Sequence, residues 1–203
     1  MAHIEVEVRG EISKEKFDEL TGLFTRDGKF VERKERVLID YSSLLPEQGI
    51  EGRTLDIRLR STNGNAEIVV KKGSWGGSDA RVESIARLAE GEFSSAVHAF
   101  ALMGYTQGMV CHVINNVFEY KDIEFVLREQ GPYFVVEAEL LATDQAGADI
   151  ARTRLEEVCT ALGIELFDDT AFYAFIEKVN TEVNNVYDFE KDGADYFRKR
   201  FNI

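Results

Sequence analysis

Four short segments of this chain alternate apolar and charged residues with a period of two. In HIEVEVRG, Ile4, Val6 and Val8 alternate with Glu5, Glu7 and Arg9. In TLDIRLR, Leu55, Ile57 and Leu59 alternate with Asp56, Arg58 and Arg60. In EIVVKK, Glu67, Val69 and Lys71 alternate with Ile68, Val70 and Lys72. In FVVEAEL, Glu137 and Glu139 share one face, backed by Val136, Ala138 and Leu140. A helix repeats every 3.6 residues and cannot separate such residues onto two opposite faces, whereas a strand does so automatically. Two of the strands therefore carry acid pairs and two carry bases.

The intervening segments set the fold class. SKEKFDELTGLFTRDG (13–28) reads as a helix capped by Ser13, with Phe17, Leu20 and Phe24 on one face and Asp27-Gly28 as its stop. KFVERKERVLIDY (29–41) reads as extended, and the segments 53–62 and 66–73 flank NGN as a hairpin. The spacing of Val82, Ile85, Leu88 and Ala89, and of Phe93, Val97, Phe100 and Ala101, predicts one broken helix or two short ones over 78–105. Strands return at MVCHVINNVFEY, DIEFVLRE and YFVVEAELLA; helices follow over 146–163 and 169–185, with a last short helix in DFEKDGADYFRKRF. Strands do not alternate regularly with helices, so the expected class is α+β with a mainly antiparallel sheet. No linker-like or low-complexity tract interrupts the 203 residues, and a single domain over 1–203 is the expectation.

Thirty-seven acidic residues against 24 basic ones give a net charge of −13, which disfavours general binding to nucleic acid or an anionic membrane. No apolar run approaches the roughly 20 residues that span a bilayer. The alternating N-terminus is not a signal peptide. Cys111 and Cys159 make no disulfide framework, and a reducing cytoplasm is the expected location.

The alternation has two readings. In one, the charged faces are the wet outside of an antiparallel sheet, as in a lipocalin-like binder, and their ion pairs are worth about 0–1 kcal/mol each. On spacing alone this is the commoner outcome. In the other, the sheet closes on itself and the charges face inward. A barrel of about eight strands has room for side chains or one small ligand. Inward arginines and lysines would grip a polyphosphate, and inward glutamates would hold Mg²⁺ or Mn²⁺.

The order of the motifs favours the second reading. Glu5-x-Glu7-x-Arg9 resembles the ExExK signature of the CYTH superfamily, the triphosphate tunnel metalloenzymes. Arg58-x-Arg60 followed by Lys71 resembles that family's R-x-R and K on adjacent strands. Arg81-x-Glu83, LMGY (102–105) and VVEAEL resemble three further motifs, in the same order, over Ala2 to about Ile176. The resemblance implies a closed or nearly closed eight-stranded antiparallel tunnel with helices outside. It implies hydrolysis or other processing of inorganic triphosphate, thiamine triphosphate or a nucleoside triphosphate, with cyclisation of ATP to cyclic AMP as the alternative chemistry. By carry-over, Arg58, Arg60 and Lys71 serve catalysis; Arg9, Arg58, Arg60, Lys71 and Arg128 bind substrate; Glu5, Glu7, Glu137 and Glu139 hold Mg²⁺ or Mn²⁺. Arg81 and Glu83 join them on the resemblance alone. The implied partner is a small-molecule triphosphate, with no nucleic acid and no membrane, and a homodimer is left open.

The sequence also departs from the pattern. Arg9 stands where lysine is usual. The K-x-R expected after LMGY falls on Val113 and Asn115, and the following aspartate position falls near Arg128. Those changes motivate a further alternative, a catalytically weak protein that senses a nucleotide or polyphosphate. Three other signals carry less. DFEKDGADYFRK lacks the terminal glutamate of a calcium loop, since Lys199 occupies it. GSWGGS (73–78) lacks a P-loop pattern and reads as a turn or a lid over a tunnel mouth. His3, His98 and His112 have no metal-ligand spacing.

Overall fold

A computed structural model describes residues 4–44, 51 and 53–203 of the chain. Eight antiparallel strands close into a barrel: β1 (Ile4–Ile12), β2 (Lys29–Asp40), β3 (Leu55–Thr62), β4 (Asn65–Lys72), β5 (Ser78–Arg87), β6 (Gln107–Tyr120), β7 (Ile123–Gln130) and β8 (Tyr133–Ala142). The order around the barrel is β2-β3-β4-β5-β1-β8-β7-β6, closed by pairing of β2 with β6; a short β9 (Asn185–Asp188) adds to the free part of β6. Closure leaves no exposed edge among the eight strands. It also places β1 and β2 opposite each other, four strands apart in either direction.

Six helices accompany the barrel among the described residues: α1 (Lys14–Asp27), α2 (Phe93–Leu102), α3 (Gln145–Ala161), α4 (Asp169–Glu182), α5 (Phe189–Asp192) and α6 (Tyr196–Phe201). Ser13 caps α1, its hydroxyl accepting from the Lys16 amide at 3.2 Å. The α1 stripe Phe17, Leu20 and Phe24 packs with α3 on the outer faces of β1, β7 and β8, around Val6, Val8, Phe125 and Leu127. A second cluster, with Ile39, Leu59, Phe100 and Phe197, covers the outer faces of β2, β3 and β6 with α2 and α6. The apolar core thus lies between barrel and helices, each fully buried large side chain contributing about 1.5–3 kcal/mol. The barrel interior is charged.

Two expectations need correction. The segment 78–87 is β5, not helix, and only 93–102 is helical. The i, i+3 spacing of Val82 and Ile85 is incidental, since both are more than 40% exposed (47% and 44%). Asp79, Arg81 and Glu83 repeat the period-two code instead, and register with β1 and β4 holds them in a strand. At the C-terminus, Asn185–Asp188 pairs with β6 as β9, and two short helices follow it rather than one.

Candidate functional site

β1 is buried on both faces. Val6 and Val8 (0% and 1% exposed) enter the outer core, while Glu5, Glu7 and Arg9 (8%, 6% and 5%) line an internal cavity of about 280 Å³. The reading of a wet outer face is overturned: the charges are inside. The cavity is also lined by Arg58, Arg60, Lys71, Arg81, Glu83, Arg128, Glu137 and Glu139, so all of the expected site residues share one hollow.

Register arranges them into two opposed walls. On the β1 side, Glu7 lies directly across from Glu139 of β8, and Glu139 lies across from Glu124 of β7. These three carboxylates form a row on adjacent strands. Glu5 ion-pairs with Lys71, which is also 3.5 Å from Glu83. Glu139 has no basic partner among the described residues. Burial, reinforced by Glu5, Glu7 and Glu124 and only partly offset by Lys71, pushes its pKa up to about 9. Burial also raises Glu5, against the pull of Lys71. Glu7 goes the other way: burial would raise it, but Arg9, Lys71 and Arg81 bring it down to about 2.

A belt of alternating acids and bases runs from this wall around the barrel. The Arg9 guanidinium donates to the Gly76 carbonyl at 2.7 Å, to Asp79 at 2.8 Å and to Glu7, with Glu137 at 3.5 Å. Asp56 accepts from Arg53 at 2.6 Å, from Arg58 at 2.7 Å and from Arg81 at 3.1 Å. Burial would raise the Asp56 carboxyl; Arg58, Arg53 and Arg81 hold it well below the usual range. Arg128 donates to Asn115 at 3.1 Å and to Glu137 at 2.8 Å, so it points into the cavity beside Asn115, one of the positions where a base was expected. Val113, the other, is buried.

Glu124 of β7 is not among the expected site residues, and neither are two bases of one strand, Lys34 and Arg36 of β2. Their strand reads KFVERKERV, where inward Glu32, Lys34 and Arg36 alternate with Arg33 and Glu35. Both faces are polar, so no apolar contrast announces which one points in.

One end of the cavity is apolar. Phe167 and the α4 residues Phe172, Phe175 and Ile176 wall it together with Trp75. GSWGGS is therefore part of this wall: Trp75 is buried, packs edge-on against Phe172 and stacks under Arg53, and its carbonyl accepts from the Tyr173 hydroxyl at 2.7 Å. His98 stacks on Phe189 and His112 faces Glu35, both outside the cavity; His3 lies outside the described residues. Asp188 caps α5 instead of belonging to a calcium loop. Cys111 and Cys159 are both free thiols, and no described helix is long and apolar enough to cross a membrane.

The chemistry of the acidic row fits a hard divalent cation. Three carboxylates stand on register-paired positions, and two of them, Glu139 and Glu124, have no ion pair among the described residues. As the side chains lie here, no three metal-ligating groups among the described residues converge on one point. The arginines and lysines opposite fit phosphoryl oxygens.

No protein-family model matches the sequence, and no curated protein matches it. Solved structures do match. PH1012 from Pyrococcus horikoshii OT3 aligns with a TM-score of 0.63 at 15% identity, over 83% of this chain and 99% of that one. A candidate adenylate cyclase from Vibrio parahaemolyticus aligns with a TM-score of 0.60 at 15% identity, over 81% and 91%. HpAC1 from Hippeastrum, a candidate adenylyl cyclase described as having a dominant triphosphatase activity, aligns with a TM-score of 0.57 at 13% identity, over 86% and 95%. The chain thus shares the fold of these structures, and its own barrel is eight-stranded, antiparallel and closed, with a charged interior.

Proposed function

We propose that this protein binds a triphosphate compound inside the barrel and processes it, with Mg²⁺ or Mn²⁺ at the acidic wall. One observation carries the reading: within a single cavity, Glu7 of β1 stands opposite the strand of Arg36 and Lys34, with Glu139 and Glu124 beside it on β8 and β7 and with Arg58, Arg60 and Arg128 between. Both walls are only partly neutralised, since Glu7 pairs with Arg9 and Lys34 with Glu32 while Glu139, Glu124 and Arg36 have no ion pair among the described residues, and a metal–polyphosphate complex would supply both missing charges. The named activities of HpAC1 and the Vibrio protein are compatible with such a substrate.

In this scheme Arg58, Arg60 and Lys71 grip phosphoryl oxygens, with Arg128 at the far wall. Asp56 fixes the Arg58 fork, so the cation is aimed before substrate arrives. Arg9 is held by four oxygens and acts mainly as a strut between β1 and β5. It stays protonated and serves as no general base. Glu7, Glu139 and Glu124, with Glu5 beside them, would hold the cation. Glu137 is engaged by Arg9 and Arg128 and orients them. When bound, the divalent ion would offset charge on phosphate oxygens and help activate a water. The arginine wall would stabilise charge developing on the leaving group. Hydrolysis is the leading chemistry and cyclisation of ATP the alternative. A sensing role without turnover has its own support: Val113 and Asn115 leave β6 without a base on the inner wall.

The test is direct. The protein is incubated with inorganic triphosphate, thiamine triphosphate and ATP, each with Mg²⁺ or Mn²⁺, and phosphate, pyrophosphate and cyclic AMP are measured. Turnover that disappears in Arg58→Ala and Glu7→Gln supports the enzyme. Thermal stabilisation by a triphosphate without turnover supports the sensor. Absence of both effects rejects the proposal.

A further inference from the structure

Lys34 and Arg36 occupy an unusual place in the charge pattern. Every other arginine lining the cavity has a carboxylate within 4 Å: Arg9 has Glu7, Arg58 has Asp56, Arg60 has Glu67, Arg81 has Asp56 and Arg128 has Glu137. Arg36 has none among the described residues. Its only side-chain bond among the described residues is to the neutral Thr62 hydroxyl, at 3.1 Å. Among the described residues Lys34 pairs only with Glu32, at 3.1 Å, on its own strand.

The neighbours of Arg36 make matters worse for it. Burial and the adjacent Arg60 and Arg128 lower its pKa to about 10, with Arg58 adding to the effect and Glu137 opposing it. An arginine placed like this, half-buried among other cations and without a carboxylate of its own, costs stability unless an anion joins it.

Register explains how the cluster is built. β2 pairs with β6 so that Arg36 lies directly across from Val113 and Lys34 directly across from Asn115. On the other side of β6, Asn115 lies across from Arg128 of β7. The uncharged Asn115 is thus flanked by a base on each neighbouring strand, and Val113 by Arg36 of β2. Lys34, Arg36 and Arg60 also line a second chamber of about 480 Å³ beyond the main cavity, near the β3–β4 turn. The same three bases thus line both spaces, and in the second chamber Glu32 and Glu67 stand beside Lys34 and Arg60.

We infer that Lys34 and Arg36 form the phosphoryl-binding pair of this wall, gripping with Arg60 and Arg128 the end of the anion away from the carboxylate row. The ligand is an inorganic or terminal phosphoryl group of a di- or triphosphate, and it needs no metal at this end. This inference rests on the proposed triphosphate reading and assigns to β2 a grip that β6 does not supply.

Arg36→Gln and Lys34→Gln are compared with the unaltered protein and with Arg58→Ala, in EDTA, by calorimetric titration with pyrophosphate and inorganic triphosphate. Loss of a charge-assisted bond corresponds to about ten- to hundredfold weaker binding for Arg36→Gln, with a smaller loss for Lys34→Gln. Ligand-free Arg36→Gln should also melt at a higher temperature than the unaltered protein, because removing a repelled cation relieves strain. A purely structural arginine would lower it. If both glutamine variants bind as tightly as the unaltered protein while Arg58→Ala does not, the inference fails and the triphosphate reading stands. If the unaltered protein binds neither compound, in EDTA or with Mg²⁺, both fail together.

Discussion

Glu139 of β8 lies directly across the sheet from Glu7 of β1, two carboxylates facing each other inside a closed barrel. They do not share the burden equally. Glu7 has Arg9 and stays ionised, whereas Glu139 has no base and takes up a proton up to about pH 9. A carboxyl with a raised folded-state pKa binds its proton more tightly folded than unfolded. Its contribution to stability is therefore complete below the unfolded value near 4.3 and is lost as pH rises towards 9. In metal-free buffer, Glu139→Gln should flatten the fall in melting temperature between about pH 5 and 9. An unchanged slope would count against this account of the acidic wall.

Asp56 is the hub of the basic side. It is 2% exposed and receives three arginines from three directions. Asp56→Asn keeps the shape but takes the carboxylate from Arg58 and one of two close carboxylates from Arg53 and Arg81, which keep Asp40 and Asp79. The expected loss is about 1.5–3 kcal/mol in urea unfolding at pH 7, the worth of charge-assisted bonds. The difference between the two proteins should shrink in acid, because a carboxylate with a depressed pKa loses its contribution as pH falls below the unfolded value of about 4.

Arg9 tests the value of a planar fork. Lysine at this position retains the charge but cannot bond the Gly76 carbonyl, Asp79 and Glu7 at once. Arg9→Lys should cost about 1.5–3 kcal/mol of stability, measured by chemical denaturation, equivalent to one lost charge-assisted bond.

Gly10 ties the barrel to its apolar end wall. A methyl group there would overlap the Glu165 carbonyl oxygen, one residue from a loop whose Phe167 amide donates to the Arg9 carbonyl at 2.8 Å. Gly10→Ala should lower stability by about 1–3 kcal/mol and speed hydrogen exchange at the Phe167 amide. Unchanged exchange would show that the α4 wall is held by other contacts.

Much of this was legible in the sequence, because the period of two survives wherever one face is apolar. Glu5, Arg58 and Glu137 stand out for that reason, and the outer core supplies the contrast through Val6, Ile57 and Val136. Lys34 and Arg36 were invisible because the outward side of β2 is also polar over that stretch. The strand β5 was hidden by a coincidence: Val82 and Ile85 mimic a helical stripe, while the decisive residues, Asp79 and Arg81, reveal their direction only once β1 lies beside them. The direction of Arg128 was equally open until pairing with β6 and β8 turned it inward. The apolar end wall depends on α4 folding back over the barrel, a long-range contact with no local signature.

The most direct test is a crystal structure of the protein soaked with Mn²⁺ and a non-hydrolysable triphosphate. The account predicts anomalous density for manganese between Glu7, Glu139 and Glu124, and phosphoryl groups extending from it to Arg58, Arg60 and Arg36. Phosphate and metal bound only on the outer surface, with the interior empty, would contradict it.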